Sequence, residues 1–345
     1  MKKFISVVLT VFLVFGTAFA GNETESTARW IINTVSDPTV SYIGGEWTVI
    51  GLARGGFDER VFFEKYYQNA EQYISSCGGV LHEKKYTEYS RVVLAMTAIG
   101  KNPENIGGYN LLMPLADFEK TVWQGLNGAV WALIALDSGN YDIPINTEAK
   151  VLATREKYLN TILEAQNPDG GWAISSGDSD ADMTAMALVA LARYKDSKTK
   201  KAIDDGLIFL SAAQCEDGGF GNGTSESAES AAQVLTALST LGIPYTDVRF
   251  VKDGKTVYSN LLSFFDGTAF KHLHSDFSPD LMATEQCFYA LSALKRFEEG
   301  KTALFDMSDV SVKSDADDSF GLQGKDESVK KTKRGEAKVF SDVSG

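Results

Sequence analysis

The chain has 345 residues, of which 44% are hydrophobic, and its formal net charge is −13. This length and composition allow a large buried core, whereas an acidic surface repels nucleic acid and anionic lipid, so we predict no nucleic-acid partner. Three cysteines, Cys77, Cys215 and Cys287, are too few for a disulfide framework, although one pair is left open.

The first twenty residues have the pattern of a secretory signal peptide. Lys2 and Lys3 precede an apolar run over residues 4–19, and Ala18-Phe19-Ala20 is a small-x-small cleavage site. The apolar run is roughly 15 residues long, shorter than the ~20 that a membrane span needs. We therefore predict residues 1–20 as a signal peptide, no membrane span after cleavage, and a secreted protein with a net charge of −15 instead of −13.

A repeat organises the chain from residue 21 to about residue 301. The pattern apolar-x-Ala-apolar recurs, with a weaker copy at residues 46–53, and its clear copies begin at Met96, Leu133, Leu188, Leu235 and Leu291. Segments between these copies, such as residues 60–76 and 148–166, are amphipathic. One apolar and one amphipathic helix per repeat predict an all-α domain of six helix pairs, with an inner ring inside an outer ring.

Six positions before each clear copy lies a polar residue, and the five are Ser90, Asn127, Asp182, Glu229 and Glu285. Such residues cap helices and interact favourably with the positive end of the helix dipole. In a closed ring they would also surround one opening. Under that interpretation the candidate ligand-binding residues are Asn127, Glu229, Glu285, Trp123, Trp131 and Tyr89.

Composition changes in residues 302–345, which we predict to be a charged linker or tail. An acidic run at residues 315–318 and a basic run at residues 330–334 interrupt a segment poor in aromatic residues. The last six residues, FSDVSG, resemble the start of an S-layer homology repeat. That resemblance implies a protein displayed on a bacterial cell surface.

Two segments resemble the QW repeat of the squalene cyclase and protein prenyltransferase superfamily. Residues 166–172 read QNPDGGW, and residues 209–220 read FLSAAQCEDGGF. The resemblance implies the α6/α6 toroid, in which inner helices surround a central cavity. It also implies that the Gln caps the end of its outer helix while the aromatic residue stacks on the repeat.

The terpene cyclases of this superfamily begin catalysis with an acidic motif, Asp-x-Asp-Asp-Thr-Ala. Residues 180–185 read DADMTA, so the resemblance implies that Asp182 is the general acid and Asp180 its partner. Met183 stands in place of the last Asp. A degenerate terpene cyclase is therefore the enzymatic alternative.

Other ligand and metal sites receive less support. Gln286 occupies the position that resembles the zinc-binding His of the prenyltransferases, and His272-x-His274 followed by Asp276 is a short candidate metal group. We predict no metal site. Residues 184–188, TAMAL, resemble the corrinoid carriers intrinsic factor and transcobalamin, which implies corrinoid as an alternative ligand; otherwise no cofactor is predicted.

A complete repeat with an incomplete catalytic motif leads to the main hypothesis. We expect an exported bacterial toroid that acts as a non-catalytic ligand-binding or scaffold module. Its expected partner is a small molecule or a cell-wall or surface polymer.

Overall fold

The computed structural model describes residues 22–175, 177–221 and 226–312. Within these ranges the chain forms twelve α-helices and a two-stranded antiparallel hairpin. The elements are α1 (Asn22–Thr34), α2 (Glu46–Gly55), α3 (Arg60–Ser76), α4 (Thr87–Ala98), α5 (Phe118–Thr121), α6 (Leu126–Ser138), α7 (Arg155–Glu164), α8 (Ala181–Leu191), α9 (Ser197–Ala213), α10 (Ala228–Leu241), β1 (Val251–Lys252), β2 (Lys255–Thr256), α11 (Val257–Ser263) and α12 (Leu281–Glu298).

The even-numbered helices form a closed ring. Each packs against the next even-numbered helix, and α12 packs against α2 to close the ring. The odd-numbered helices lie outside; α1 packs on α12, α7 on α6, α9 on α8 and α11 on α10. The predicted all-α toroid is confirmed, with one outer position reduced to the four-residue α5 and short 3-10 turns at Pro114–Ala116 and Val122–Gln124.

Burial explains the two rings. Every residue of α6 except Asn127 is buried, as expected for a helix with neighbours on both sides. The outer helix α3 buries a single stripe at four-residue spacing, made of Phe62, Tyr66, Ala70 and Ile74. The alternation of apolar and amphipathic segments in the sequence therefore corresponds to inner and outer helices.

Each QW turn ties one repeat to the next. The Gln166 amide donates to the Gly170 carbonyl of its own turn and to the Ala202 carbonyl of α9, both at 2.8 Å. The prediction that the Gln caps its own outer helix is therefore wrong. Its amide bonds to its own turn and to the following outer helix. Trp172 is fully buried, and its indole N–H donates to the Ile162 carbonyl of α7 at 2.7 Å.

The glycines of these turns have a steric role. Gly170 has φ 91°, and a Cβ there would lie 2.6 Å from the Asp205 carbonyl oxygen. In the second copy Gly218 has φ 87° and is equally close to the Thr256 carbonyl. Only glycine fits this left-handed conformation against a neighbouring backbone.

The packed domain extends beyond residue 301, where composition predicted the tail to begin. Leu304, Phe305 and Met307 are buried, and the Met307 N–H donates to the Ser138 carbonyl at 2.9 Å. The Asp309 carboxylate pairs with the buried Arg54. Composition missed this boundary because the few apolar residues are surrounded by charged ones.

Several predictions concern residues outside the described ranges, namely the signal peptide, the charged runs after residue 312 and the FSDVSG end. In the described part of the chain, no helix combines the length and apolar character needed to span a membrane. Cys77, Cys215 and Cys287 are unpaired, so the disulfide left open between the cysteines does not form in this structure.

Candidate functional site

Six inner helices begin at the same end of the ring, which we call the mouth. Inner helices alternate with outer elements along the chain. The helices α2 and α12 run in the same direction, because Gly44 contacts Glu285 near their starts and Arg54 contacts Arg296 near their ends. All five predicted polar residues lie towards this end.

The sequence predicted that these five residues occupy equivalent positions, but they lie at different depths below the mouth. Asp182 and Glu229, like Asn127, are second residues of their helices, whereas Ser90 is the fourth residue of α4 and Glu285 the fifth of α12. The polar residues lie at a constant spacing from the apolar pattern, which suggested that all five lie at the same depth. The N-cap residues, however, start the helices at different distances before that pattern. Glu285 therefore lies about one turn deeper than Asp182.

The cap residues establish this register. The Asp180 carboxylate accepts the Met183 N–H at 2.7 Å, and the Asp280 carboxylate accepts the Ala283 N–H at 2.8 Å. Asp180 is thus the N-cap of α8. The capping interpretation holds for Asp180 and not for Asp182.

Asp182 is partly buried and carries free hydrogen-bonding capacity. Its Oδ1 atom is buried and has no hydrogen-bond partner among the described residues. Burial raises the pKa of this carboxyl, Ser230 opposes the rise by hydrogen bonding, and the charges of Asp180 and Glu229 add to it. The predicted acid is therefore a carboxyl that retains its proton more readily than an exposed one.

Glu229 is held by a histidine that the sequence did not connect to it. The His272 Nδ1 atom lies 2.8 Å from both oxygens of the carboxylate, and this hydrogen bond raises the pKa of His272. His274, in contrast, stacks on Phe264 with ring centroids 3.8 Å apart. The two histidines therefore belong to different surroundings and do not form the short group with Asp276 that their spacing suggested.

Glu285 and Glu46 form a second acidic part of the mouth, more deeply buried than the first. Glu285 Oε2 accepts the Gly44 N–H at 2.8 Å and the Thr48 hydroxyl at 3.2 Å, and burial raises its pKa to about 7. Burial also raises the pKa of Glu46, although the nearby charge of Arg91 opposes the rise. Glu46 Oε2 is buried without a partner in the described part of the chain.

Two residues of the mouth, Glu46 and Arg91, were not among the predicted site residues. Glu46 opens the weakest copy of the repeat, where the pattern gave little guidance. Arg91 follows Ser90 directly and pairs with Glu88. The sequence signal that could have identified Arg91 was a basic residue directly after the predicted polar position Ser90.

An aromatic cluster fills the interior beyond the mouth. Trp47 and Trp131 lie on α2 and α6, which are separated in the ring by α4, yet their ring centroids are 4.9 Å apart. Tyr289 lies 5.7 Å from Trp47, and Phe305 lies 5.7 Å from Trp131. The predicted ligand contact Trp131 therefore packs against other aromatic residues across the ring.

The other two predicted aromatics have different surroundings. Tyr89 is buried, and its hydroxyl accepts the Leu81 N–H at 3.0 Å. Trp123 is 61% exposed, and the Lys84 ammonium lies 5.2 Å from its ring centroid. Tyr89 thus belongs to the core, whereas Trp123 is available at the surface.

Exposed apolar side chains occur in the loops that lead into the inner helices. We call this set the apolar rim, and its members are Tyr42, Ile43, Trp123, Ile174 and Phe277. Exposed apolar groups around a polar centre are typical of binding surfaces. The mouth thus combines an acidic floor with an apolar edge.

A cavity of about 310 Å³ lies at the opposite end of the ring. Its walls include Ile134, Arg193 and Thr240 from the inner helices and their ends, and Phe305 from the C-terminal segment. No sequence pattern pointed to this cavity, because one of its walls comes from residues assigned to the tail.

Comparison with known proteins concerns the fold. No protein-family model matches the chain, and no curated protein matches it. The chain is similar to an unsaturated glucuronyl hydrolase from Bacillus sp. GL1, with 13% identity, a TM-score of 0.54, and coverage of 83% of this chain and 98% of that one.

Two further structures are comparably similar. A variant of such a hydrolase with dGlcA-Glc-Rha-Glc has 12% identity, a TM-score of 0.54, and coverage of 83% of this chain and 98% of that chain. Candida albicans protein geranylgeranyltransferase-I complexed with GGPP has 12% identity, a TM-score of 0.54, and coverage of 86% of this chain and 99% of that chain. The chain therefore has the α/α toroid fold found in prenyltransferases and glucuronyl hydrolases.

Proposed function

We propose that this protein is an exported bacterial binding module and that its ligand docks on the mouth of the toroid. The proposal depends chiefly on one observation: Asp182 is a partly buried carboxyl at the mouth, and its Oδ1 atom has no hydrogen-bond partner among the described residues. A buried acceptor without a partner is costly, so a ligand that donates a hydrogen bond would be stabilised there.

The surroundings of Asp182 favour a saccharide as the ligand class. Asp180, Asp182 and Glu229 offer acceptors to hydroxyl groups, and the exposed ring of Trp123 offers a flat apolar surface to a sugar face. The similar hydrolase variant is accompanied by the saccharide dGlcA-Glc-Rha-Glc, which supports a saccharide as the ligand class. A cell-wall or surface polysaccharide fits a protein that is exported.

The filled interior supports binding without turnover. Trp47, Trp131, Tyr289 and Phe305 contact one another across the ring, in the space that a long apolar substrate would occupy. Met183 stands where the cyclase motif has a further carboxylate. Both features favour a ligand held at the mouth.

Binding is testable with neutral oligomers of N-acetylglucosamine and with fragments of neutral surface polysaccharides. We expect Trp123→Ala and Asp182→Asn each to weaken binding by about tenfold or more, or about 1.4 kcal/mol, in calorimetric titrations. The matched controls are Ile208→Ala, an exposed apolar residue on α9, and Thr240→Leu, which fills the opposite cavity.

Unchanged binding in Trp123→Ala and Asp182→Asn would reject the mouth as the site. Loss of binding in Thr240→Leu alone would move the site to the opposite cavity. If no saccharide binds and the purified protein carries the visible absorbance of a corrinoid, the corrinoid alternative replaces the saccharide.

A second candidate function is acid catalysis by Asp182. The raised pKa of this buried carboxyl is what a general acid requires at neutral pH. Turnover of a linear isoprenoid such as squalene, abolished by Asp182→Asn and retained by Asp178→Asn, would support the cyclase. Absence of any product with the unmodified protein would leave the binding function.

A further inference from the structure

A separate cluster of ligand side chains lies beside the mouth, and we propose that it binds a divalent transition metal ion such as Zn²⁺. Asp217 lies in the turn after α9, Glu226 precedes α10, and His274 lies in the loop between α11 and α12. One nitrogen or oxygen atom from each lies within 4.8 Å of the other two. Side chains this close can converge on one metal ion.

The two carboxyl groups lie close together. One oxygen of Asp217 lies within 4.8 Å of one oxygen of Glu226, and both groups accept from the same Asn260 amide nitrogen. Two carboxylates in contact repel each other when both are ionised. A bound cation removes that repulsion.

Asn260 of α11 supports the pair from the protein interior. It is only 3% exposed, and its Nδ2 atom lies 3.0 Å from Asp217 Oδ2 and 3.3 Å from Glu226 Oε2. Ligating carboxylates are commonly held by such hydrogen bonds from a second layer. Its Oδ1 atom is buried without a partner among the described residues. Rotation of the amide would exchange the two Nδ2 hydrogen bonds for a further oxygen ligand to a bound ion.

The donor set favours zinc over magnesium or calcium. His274 contributes an imidazole, and its stacking on Phe264 fixes the plane of the ring. An imidazole together with carboxylates suits zinc, whereas magnesium and calcium prefer oxygen ligands alone.

The proposed ion would join two connections that are distant in sequence. It would link the α9–α10 connection, which holds the second QW turn, to the loop before α12. His272, two residues before His274, belongs to that loop and pairs with Glu229 at the mouth. The ion would thus fix the loop that supplies one side of the mouth, and it does not depend on the proposed saccharide.

Equilibrium competition between chelator-treated protein and a chromophoric zinc chelator tests the proposal directly. We expect one Zn²⁺ per chain. The affinity should fall by about tenfold or more in His274→Ala and in the double variant Asp217→Asn/Glu226→Gln. His272→Ala is the matched control, because this neighbouring histidine contacts Glu229, and it should bind zinc as the unmodified protein does.

Circular dichroism of the metal-free variants checks that each one folds. Cobalt substitution adds a spectroscopic readout, because the visible bands of bound Co²⁺ should change in His274→Ala and stay unchanged in His272→Ala. The proposal is wrong if the unmodified protein binds no stoichiometric zinc. It is also wrong if folded His274→Ala binds zinc as tightly as the unmodified protein, or if His272→Ala loses as much affinity.

Discussion

Buried carboxyl groups dominate the mouth at the scale of single residues. Glu46 and Glu285 are each no more than 2% exposed, and neither forms an ion pair among the described residues. Glu285 is stabilised instead by a backbone N–H and a hydroxyl. Such groups are more stable in the neutral form, so the stability of the fold depends on pH.

Glu285→Gln tests this dependence. The folded-state pKa of about 7 lies above the ordinary value of 4.5, so the folded protein retains a proton that the unfolded chain releases as pH rises between these values. Glu285 therefore makes the fold less stable as pH rises from 4.5 to 7. Gln can keep the two acceptor bonds without ionising. The free energy of unfolding of Glu285→Gln, relative to that of the unmodified protein, should therefore increase by on the order of 3 kcal/mol between pH 4.5 and 7.

Urea unfolding at several pH values measures the difference between the two proteins. Glu148→Gln, at an exposed position, is the control for replacing a surface carboxylate and should change the free energy of unfolding by no more than about 0.5 kcal/mol. A Glu285→Gln difference that is constant with pH would contradict the prediction.

At the scale of elements, the QW turn is a connector between outer positions. Gln214 is buried and donates to the Gly218 carbonyl at 2.9 Å and the Phe250 carbonyl at 3.1 Å. Gln166 makes the corresponding bonds in the preceding repeat but is less buried. The amide ties its own turn to the following outer position, which gives the motif a structural role.

Gln214→Met removes both bonds while retaining the length and volume of the side chain. We expect a loss of about 2–4 kcal/mol, because two buried carbonyls would lose their donors. Gln166→Met should cost less, since that site is nearer to solvent. Chemical denaturation gives both values, and an equal or larger loss in Gln166→Met would refute the role of burial.

At the scale of the whole molecule, residues 302–311 cover the far end of the ring. Arg54 and Arg296 both pair with Asp309, and Arg54 also donates to the Leu304 carbonyl at 2.9 Å. Phe305 reaches the aromatic cluster at the centre. The ring is thus closed from within by aromatic residues and at one end by a segment that follows the last helix.

Phe305→Ala should destabilise the protein by about 3–5 kcal/mol, because the aromatic cluster would lose one of its members and leave a void. The fully exposed Phe277→Ala, in contrast, should change stability by no more than about 0.5 kcal/mol. Thermal unfolding monitored by tryptophan fluorescence compares the two. Similar effects would mean that residues 302–311 do not contribute to the folded core.

The sequence alone determined the all-α class and the six helix pairs, because each inner helix repeats one local apolar pattern, and the resemblance of the QW segments implied the toroid. It also placed the polar residues at one end of the ring. It did not distinguish Asp182 from Glu285 in depth, because Asp180 and Asp280 determine where each helix begins.

Only the tertiary structure decided which side chains meet. Glu229 and His272 are 43 residues apart, and Asp217 and Glu226 of the α9–α10 connection meet His274 of the loop before α12. Trp47 and Trp131 meet across the ring, and Phe305 joins them from a segment that composition assigned to the tail. Local periodicity is a property of a few turns of chain, whereas these contacts depend on closing the whole ring, so no pattern in the sequence contained them.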